Sequence, residues 1–319
     1  RDDDWFMHCV FLRPHPPVIA PEPYNAMYDP ADVPLPHRKP TAEEEAQQHP
    51  HLAQWIDAFS RPNHYDEHNP NHLVDMPALE LRQMRACYYG MMNEVDDAFG
   101  RIVAHLKATG EYDHTLIVFT CDHGEMGGDH YTWGKELYFD QSFHIPLIVR
   151  DPRGAADGAR GTQVDALTES VDIMPTVLAW LGLDVPAQCD GRALLPFLEG
   201  RSPNHWRQEA HMELDFRDGP YSGLAAEQAL NLLPDECQLA IVRGARWKYV
   251  FFAALPPLLF DLQNDPHEMH DLSRDPSHQV ILLEMAHKML SWRLVHQEHV
   301  LSNLHNGRNG VEDRRRSRT

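Results

Sequence analysis

An aspartate and a histidine stand side by side, Asp122-His123, where the apolar run Thr115-Leu-Ile-Val-Phe-Thr-Cys121 gives out, with Gly124 and Glu125 behind them. An anionic carboxylate oxygen and a neutral imidazole nitrogen together suit a divalent cation of intermediate hardness. Two donors are too few for a catalytic ion, which takes about three protein ligands plus water or substrate, so others must come from elsewhere. Thirteen positions after Asp122 comes Lys135, beyond a segment holding Gly127, Gly128, Asp129-His130 and Gly134. That glycine-rich segment is expected to be flexible and to return a cation toward the metal end, where an ammonium could hold a phosphoryl or sulfuryl oxygen. His15 lies between Pro14 and Pro16-Pro17, which restrict its backbone. With an ordinary pKa near ~6.5, an imidazole so mounted could protonate a leaving oxygen at neutral pH. Each residue also has a plainer explanation: Asp122 capping a turn, His123 packing on a sheet edge, Lys135 solvated, His15 one of 22 histidines.

Such side chains need rigid mounts, and the pattern around them reads as α/β. Leu81, Met84, Tyr88, Met91, Val95, Phe99, Ile102 and Leu106 recur every three or four residues and predict a long helix from about Ala78 to Ala108, ended by Gly110. The strand Thr115–Thr120 follows at once, the helix-to-strand step of a parallel sheet, whose strand ends present ligands to a crevice. A second strand is expected at Ile145–Arg150 and a helix from Asp172 to Leu181, closed by Gly182. Upstream, Trp5–Leu12 reads as a buried strand. From Arg13 to about Asn71 the many prolines predict an excursion over the surface, helical only from His51 to Phe59. Beyond Arg201, the short runs Glu209–Leu214, Gln238–Arg243, Trp247–Phe252 and Leu258–Leu262 predict a small antiparallel sheet. A terminal helix begins at Asp275-Pro276-Ser277, with Val280, Leu283, His287, Leu290 and Leu294 on one face, and from about Leu301 the chain reads as a loose arm.

Composition narrows the partners. The formal charge of −20 argues against a nucleic-acid groove, since the only basic run is Arg314-Arg315-Arg316-Ser317-Arg318. An anionic substrate must therefore be drawn by a local positive site. Five scattered cysteines without C-x-x-C spacing indicate neither a disulfide framework nor a zinc knot and point to a reducing, cytoplasmic setting. No apolar run reaches the ~18–20 residues that would span a bilayer, so no membrane partner is expected. His49, His51, His64, His68 and His72 lack a regular ligand spacing and read as solvated, and Met84, Met91 and Met92 read as core filler. The chain begins with Arg1 rather than Met, which implies a natural start upstream.

Taken in order, Phe119-Thr-Cys-Asp-His-Gly-Glu125, Lys135, Tyr138-Phe-Asp-Gln-Ser-Phe-His-Ile-Pro146, Glu169-Ser-Val-Asp-Ile-Met-Pro-Thr176 and Leu259-Phe-Asp-Leu-Gln-Asn-Asp-Pro-His-Glu268 closely resemble the sulfatase family. Within the alkaline phosphatase superfamily, Tyr88-Tyr-Gly-Met-Met-Asn-Glu-Val-Asp-Asp97 and Phe252-Ala-Ala-Leu-Pro-Pro257 make the chain most similar to phosphonate monoester hydrolases and phosphodiesterases. The resemblance implies a sulfatase and alkaline-phosphatase-like, mainly parallel sheet flanked by helices, with a smaller C-terminal antiparallel sheet plus helix and with the N-terminal part of the fold missing. Residues 1–200 would be the later part of the catalytic domain, 201–300 a small α+β subdomain and 301–319 the arm. It further implies one divalent metal ion (Mn, Ca, Zn or Mg) with Asp122 and His123 among its ligands. Lys135 would contact nucleophile and transferring group, and His15 the substrate or leaving oxygen. Family members oxidise the cysteine of a C-x-[PA]-x-R motif to formylglycine, which acts as nucleophile. A homo-oligomer assembled partly through the C-terminal arm is implied as well.

None of the five cysteines fits that motif: Cys9-Val-Phe-Leu-Arg13 has the arginine spacing but Phe11 where Pro or Ala belongs. The chain is therefore expected to be the C-terminal portion of a hydrolase of phosphonate monoesters, phosphodiesters or sulfate esters, with its formylglycine upstream, and to be nearly inert alone. A Ser or Thr nucleophile, as in related superfamily members, stays open. The alternative is a naturally short, non-catalytic relative with a structural or oligomerisation role.

Overall fold

The computed structural model describes residues 4–60, 73–135, 137–186, 188–217, 225–296, 304–307 and 310–313. The chain divides into two compact units. The first comprises the described residues up to His114 together with His123–Leu137 and 225–232; the second comprises Thr115–Asp122, Tyr138–Arg217 and the described residues from Leu233 onward. The chain passes from one to the other between Asp122 and His123.

In the first unit, helix α1 (Ala42–Ala46) starts where the Thr41 hydroxyl accepts the Glu44 N–H, and α2 (Pro50–Phe59) starts with Pro50, whose missing N–H costs nothing in a first turn. Helix α3 (Ala78–Ala108) is preceded by Pro77 and followed by Gly110 at φ 77°. Leu81, Met91 and Leu106 of the expected apolar stripe are buried, and the other stripe positions are half-buried. Gly90 is buried on another side of the helix, where a Cβ would overlap the carbonyl oxygen of Tyr24, so the short 3-10 turn Tyr24–Ala26 lies directly against the helix backbone.

Three expectations fail here. The proline-rich segment is not simply a surface excursion, because α1 and α2 place Glu45, Leu52, Trp55, Ile56 and Phe59 in the core. His49 and His51, expected in solvent, are 2% and 0% exposed; His64, His68 and His72 lie outside the described residues. Prolines stop long helices but leave short ones free to bury an apolar face. Trp5–Leu12 forms no strand, with Phe6 83% and Leu12 81% exposed. An apolar run becomes a strand only when a neighbouring strand takes its backbone hydrogen bonds, and no described strand pairs with it.

In the second unit, β1 (Ile117–Thr120) pairs with β2 (Leu147–Arg150) in antiparallel register, Ile117 opposite Arg150 and Thr120 opposite Leu147. The parallel neighbours expected for β1 are not among the described strands, all of whose pairings are antiparallel. The helix Ile173–Trp180 is entered through the 3-10 turn Ser170–Asp172 and left through Gly182 at φ 71°. Strands β3 (Glu209–Asp215), β4 (Gln238–Gly244), β5 (Trp247–Phe252) and β6 (Leu258–Asp261) form an antiparallel sheet in sequence order, as expected. The terminal helix Gln279–His296 packs on it, with Met285 and Met289 joining Ala240, Val242, Tyr249 and Leu259 in one core cluster. Its expected core face is reversed: Val280, Leu283, Leu290 and Leu294 are each more than half exposed, while Ile281, Leu282 and Ala286 pack inward. Both sets obey the same spacing, so periodicity could not choose between them. The expected loose arm contains a hairpin of β7 (Leu304–Gly307) and β8 (Gly310–Asp313).

Lys248, on β5, is fully buried. Its Nζ lies 2.8 Å from Asp140 Oδ1 and 2.5 Å from Glu268 Oε1. Asp140 also accepts from Arg243 at 3.1 Å, and its backbone N–H donates to Glu268 Oε2 at 2.7 Å. Burial alone would raise the Asp140 carboxyl, but Lys248 and Arg243 hold it below the usual range. Complete burial pushes Glu268 up, and Lys248 only partly offsets this.

Replacing Lys248 by Met is expected to cost about 3–5 kcal/mol, because the fully buried Glu268 and the half-buried Asp140 lose their common cation. The urea-denaturation midpoint measures this, and a loss close to that of a surface substitution would contradict it. Gly90→Ala is expected to cost about 1–3 kcal/mol by forcing α3 and the Tyr24 turn apart, read as a lower midpoint with an unchanged slope.

Candidate active site

Strand β1 ends at Thr120, whose hydroxyl donates to the Pro146 carbonyl at 2.9 Å. Cys121 follows, then Asp122, which is exposed, and His123, which is half-buried. The His123 Nδ1 lies 2.8 Å from the Gly124 carbonyl oxygen. A carbonyl only accepts, so Nδ1 carries the proton and, in the neutral ring, the lone pair is on Nε2. His15 is exposed and its Nδ1 meets the Pro16 carbonyl at 2.8 Å, the same arrangement, with its own N–H donating to the Leu12 carbonyl. Lys135 is half-buried.

The segment between His123 and Lys135 is tightly packed, contrary to the flexibility its glycines suggest. His130, Tyr131 and Trp133 are 0%, 8% and 2% exposed. One oxygen of Glu125 accepts the N–H groups of Gly127 and Gly134, at 3.1 and 2.7 Å. Arg85, from α3, donates to the Gly127 carbonyl at 2.8 Å and reaches Asp129 at 3.3 Å, and Asp129 in turn accepts the His37 N–H at 3.0 Å. His130 Nδ1 meets Glu45 Oε1 at 2.9 Å with both side chains fully buried, and Lys39 N–H donates to the other Glu45 oxygen at 2.6 Å. The Tyr131 hydroxyl donates to the Lys39 carbonyl at 2.9 Å. Burial pushes the Glu45 carboxyl up, yet His130 and the Lys39 N–H outweigh it and hold the group below its usual range. His130 and Tyr131 both take positive φ, at 52° and 60°, a conformation kept only because these contacts over-determine it.

Among the described residues no group of three or more His, Cys, Asp or Glu side chains could hold a metal ion. Asp122 and His123 fit such an ion in donor type but make only an incomplete set. Sequence reasoning missed groups that hold this segment: Arg85 and Glu45 belong to no recognisable spacing, and Glu125 was given no role. The Glu169–Thr176 motif proves to be a framework. Glu169 and Asp172 both engage Arg207, Asp172 accepting at 2.7 Å and Glu169 lying at 3.2 Å, while Glu169 also accepts the His211 N–H at 2.7 Å. Burial raises Glu169, but His211 and Arg207 bring it below the ordinary value.

A family model described as Sulfatase matches residues 1–183, and one described as N-sulphoglucosamine sulphohydrolase, C-terminal, matches residues 128–294. The chain belongs to the sulfatase family. It is 42% identical over 311 residues to the multifunctional alkaline phosphatase superfamily protein PehA of Trinickia caryophylli, covering 97% of this chain and 59% of that one. The phosphonate monoester hydrolase of Agrobacterium radiobacter superposes with a TM-score of 0.88 at 42% identity, over 99% of this chain and 62% of that chain. The phosphonate monoester hydrolase from Silicibacter pomeroyi gives 0.87 at 39%, over 100% and 61%. This sulfatase-family chain thus has the sulfatase and alkaline-phosphatase-like fold and spans about three fifths of the length of these relatives.

Because the folded-state pKa of Glu45 is depressed, its contribution to stability is present above the unfolded value of about 4.3 and is lost as pH falls through the folded value. The stability difference between the unaltered protein and Glu45→Gln should therefore shrink as pH is lowered from about 6 toward 3. Denaturation curves at stepped pH measure it, and a difference that grows on acidification would have the wrong sign.

Proposed function

We propose that the intact protein is a metal-dependent hydrolase of phosphonate monoesters, phosphodiesters or sulfate esters. The observation that carries this reading is the likeness, along 99% of this chain, to the phosphonate monoester hydrolase of Agrobacterium radiobacter. Asp122 and His123 supply two donors for one divalent ion (Mn, Zn, Ca or Mg), joined by ligands from outside the described residues. The Gly124 carbonyl fixes the His123 tautomer so that Nε2 is the donor nitrogen. Such an ion, when bound, supplies Lewis-acid polarisation of the transferring group. Lys135 places its ammonium against an anionic oxygen of that group, the local positive charge that a protein of net charge −20 needs to hold an anion. His15, in its protonated form, keeps Nδ1–H on the Pro16 carbonyl and gives the Nε2 proton to the leaving oxygen.

The nucleophile is a formylglycine derived from a C-x-[PA]-x-R cysteine outside this chain, since none of the five cysteines present has that setting. A cytoplasmic location belongs to the same reading and rests on the odd number of scattered cysteines without C-x-x-C spacing. No described helix is long and apolar enough to cross a membrane. Assembly as a homo-oligomer through the C-terminal arm completes the proposal.

The intact protein, loaded with divalent metal, should hydrolyse an aryl phosphonate monoester, an aryl phosphodiester or an aryl sulfate. Asp122→Ala, His123→Ala and Lys135→Ala should each lower kcat/KM by about 10²-fold or more. The 319-residue polypeptide alone should be nearly inert. Full turnover by that polypeptide, or metal-site variants indistinguishable from the unaltered protein, would refute the assignment.

A further inference from the structure

We propose that Glu125 is the positioning residue for Lys135, a deepening of the hydrolase reading on which it rests. Lys135 follows Gly134 directly, and Gly134 is held through both of its backbone groups: its N–H donates to Glu125 Oε1 at 2.7 Å and its carbonyl accepts the Met126 N–H at 2.9 Å. The same Glu125 oxygen takes the Gly127 N–H at 3.1 Å. One side-chain atom therefore ties the first turn of the loop to its last residue. Arg85 and Asp129 pin the middle of the loop, but only Glu125 among these joins the neighbourhood of His123 to that of Lys135.

The geometry around Gly134 makes this closure matter. Gly134 has φ 86°, a conformation open to glycine, and the direction in which the chain leaves it sets where the Lys135 Cα lies. With the Glu125 carboxylate removed, two N–H groups lose their acceptor and only the Met126 N–H to Gly134 carbonyl bond still closes the turn. A lysine that holds a transferring oxygen tolerates little displacement, since about 1 Å of misplacement can cost 10²-fold in rate. Both of these bonds go to a single oxygen, and the amide oxygen of glutamine can accept the same two N–H groups. Aspartate, one methylene shorter, cannot reach both.

In the intact, metal-loaded protein, Glu125→Ala and Glu125→Asp should lower kcat by about 10²-fold with a smaller change in KM, and Glu125→Gln should stay near the unaltered rate. The double variant Glu125→Ala/Lys135→Ala should be no slower than Lys135→Ala, because the carboxylate acts through the lysine. Hydrogen exchange of the Gly127 and Gly134 amides should quicken in the alanine variant and not in the glutamine one. Additive rate losses, or a glutamine variant as slow as alanine, would overturn the positioning role. Unchanged exchange in the alanine variant would overturn the clamp itself, whatever the activity. An inactive unaltered protein would instead remove the hydrolase reading, and the positioning role with it, while leaving the exchange result to stand alone.

Discussion

An ammonium group without access to solvent governs the second unit. Lys248 sits inside the four-stranded sheet region with no exposed surface, and a lone charge there would be prohibitive to bury. Asp140 and Glu268 make it tolerable, and they come from segments far apart in the chain. The arrangement works in both directions, for the fully buried Glu268 would be costly without the lysine. Strand β5, the helical turn at Asp140 and the loop after β6 are thereby locked to one another, with the Glu268 backbone held at a positive φ of 57°. Tyr138 and Phe139 enter the core beside this network, Tyr138 stacking on Phe260 and meeting Phe252 edge to face.

The same device recurs elsewhere in chemically different forms. Arg207 gathers Glu169 and Asp172, and the backbone N–H groups of Arg192 and His211 complete the carboxylates. Gly191 has no room for a Cβ against the Val171 carbonyl, so that this network closes without a side chain in the way. In the first unit, Glu45 and His130 form the corresponding buried pair. Buried ion pairs are poor sources of net stability, but they strongly disfavour every arrangement in which one partner is missing. Here they fix the segments that carry the family's motifs.

This explains why the motifs were readable before their roles were. Phe119–Glu125, Tyr138–Pro146, Glu169–Thr176 and Leu259–Glu268 identified the family from residue type and order alone. Their acidic residues divide, however, into those proposed to do chemistry and those placed for architecture. Asp122 is exposed, while Asp172 and Glu268 are fully buried against cations that sequence spacing gives no means of pairing with them. Glu125, to which the sequence assigns no role, closes a loop on Gly134.

Local pattern sufficed wherever the determinant lay within a few residues. The bounds of α3, the four strands β3 to β6 and the capped start at Asp275-Pro276 were legible because alternation, helical spacing and turn residues act over short range. Tertiary structure decided what depends on a distant neighbour. Trp5–Leu12 has the composition of a strand but no described partner, and the terminal helix carries two apolar faces of which only the sheet could select one. Burial of His49, His51 and Lys248 was invisible for the same physical reason: a polar side chain is buried only when its hydrogen-bonding or ionic partner is brought to it, and that partner is chosen by the fold.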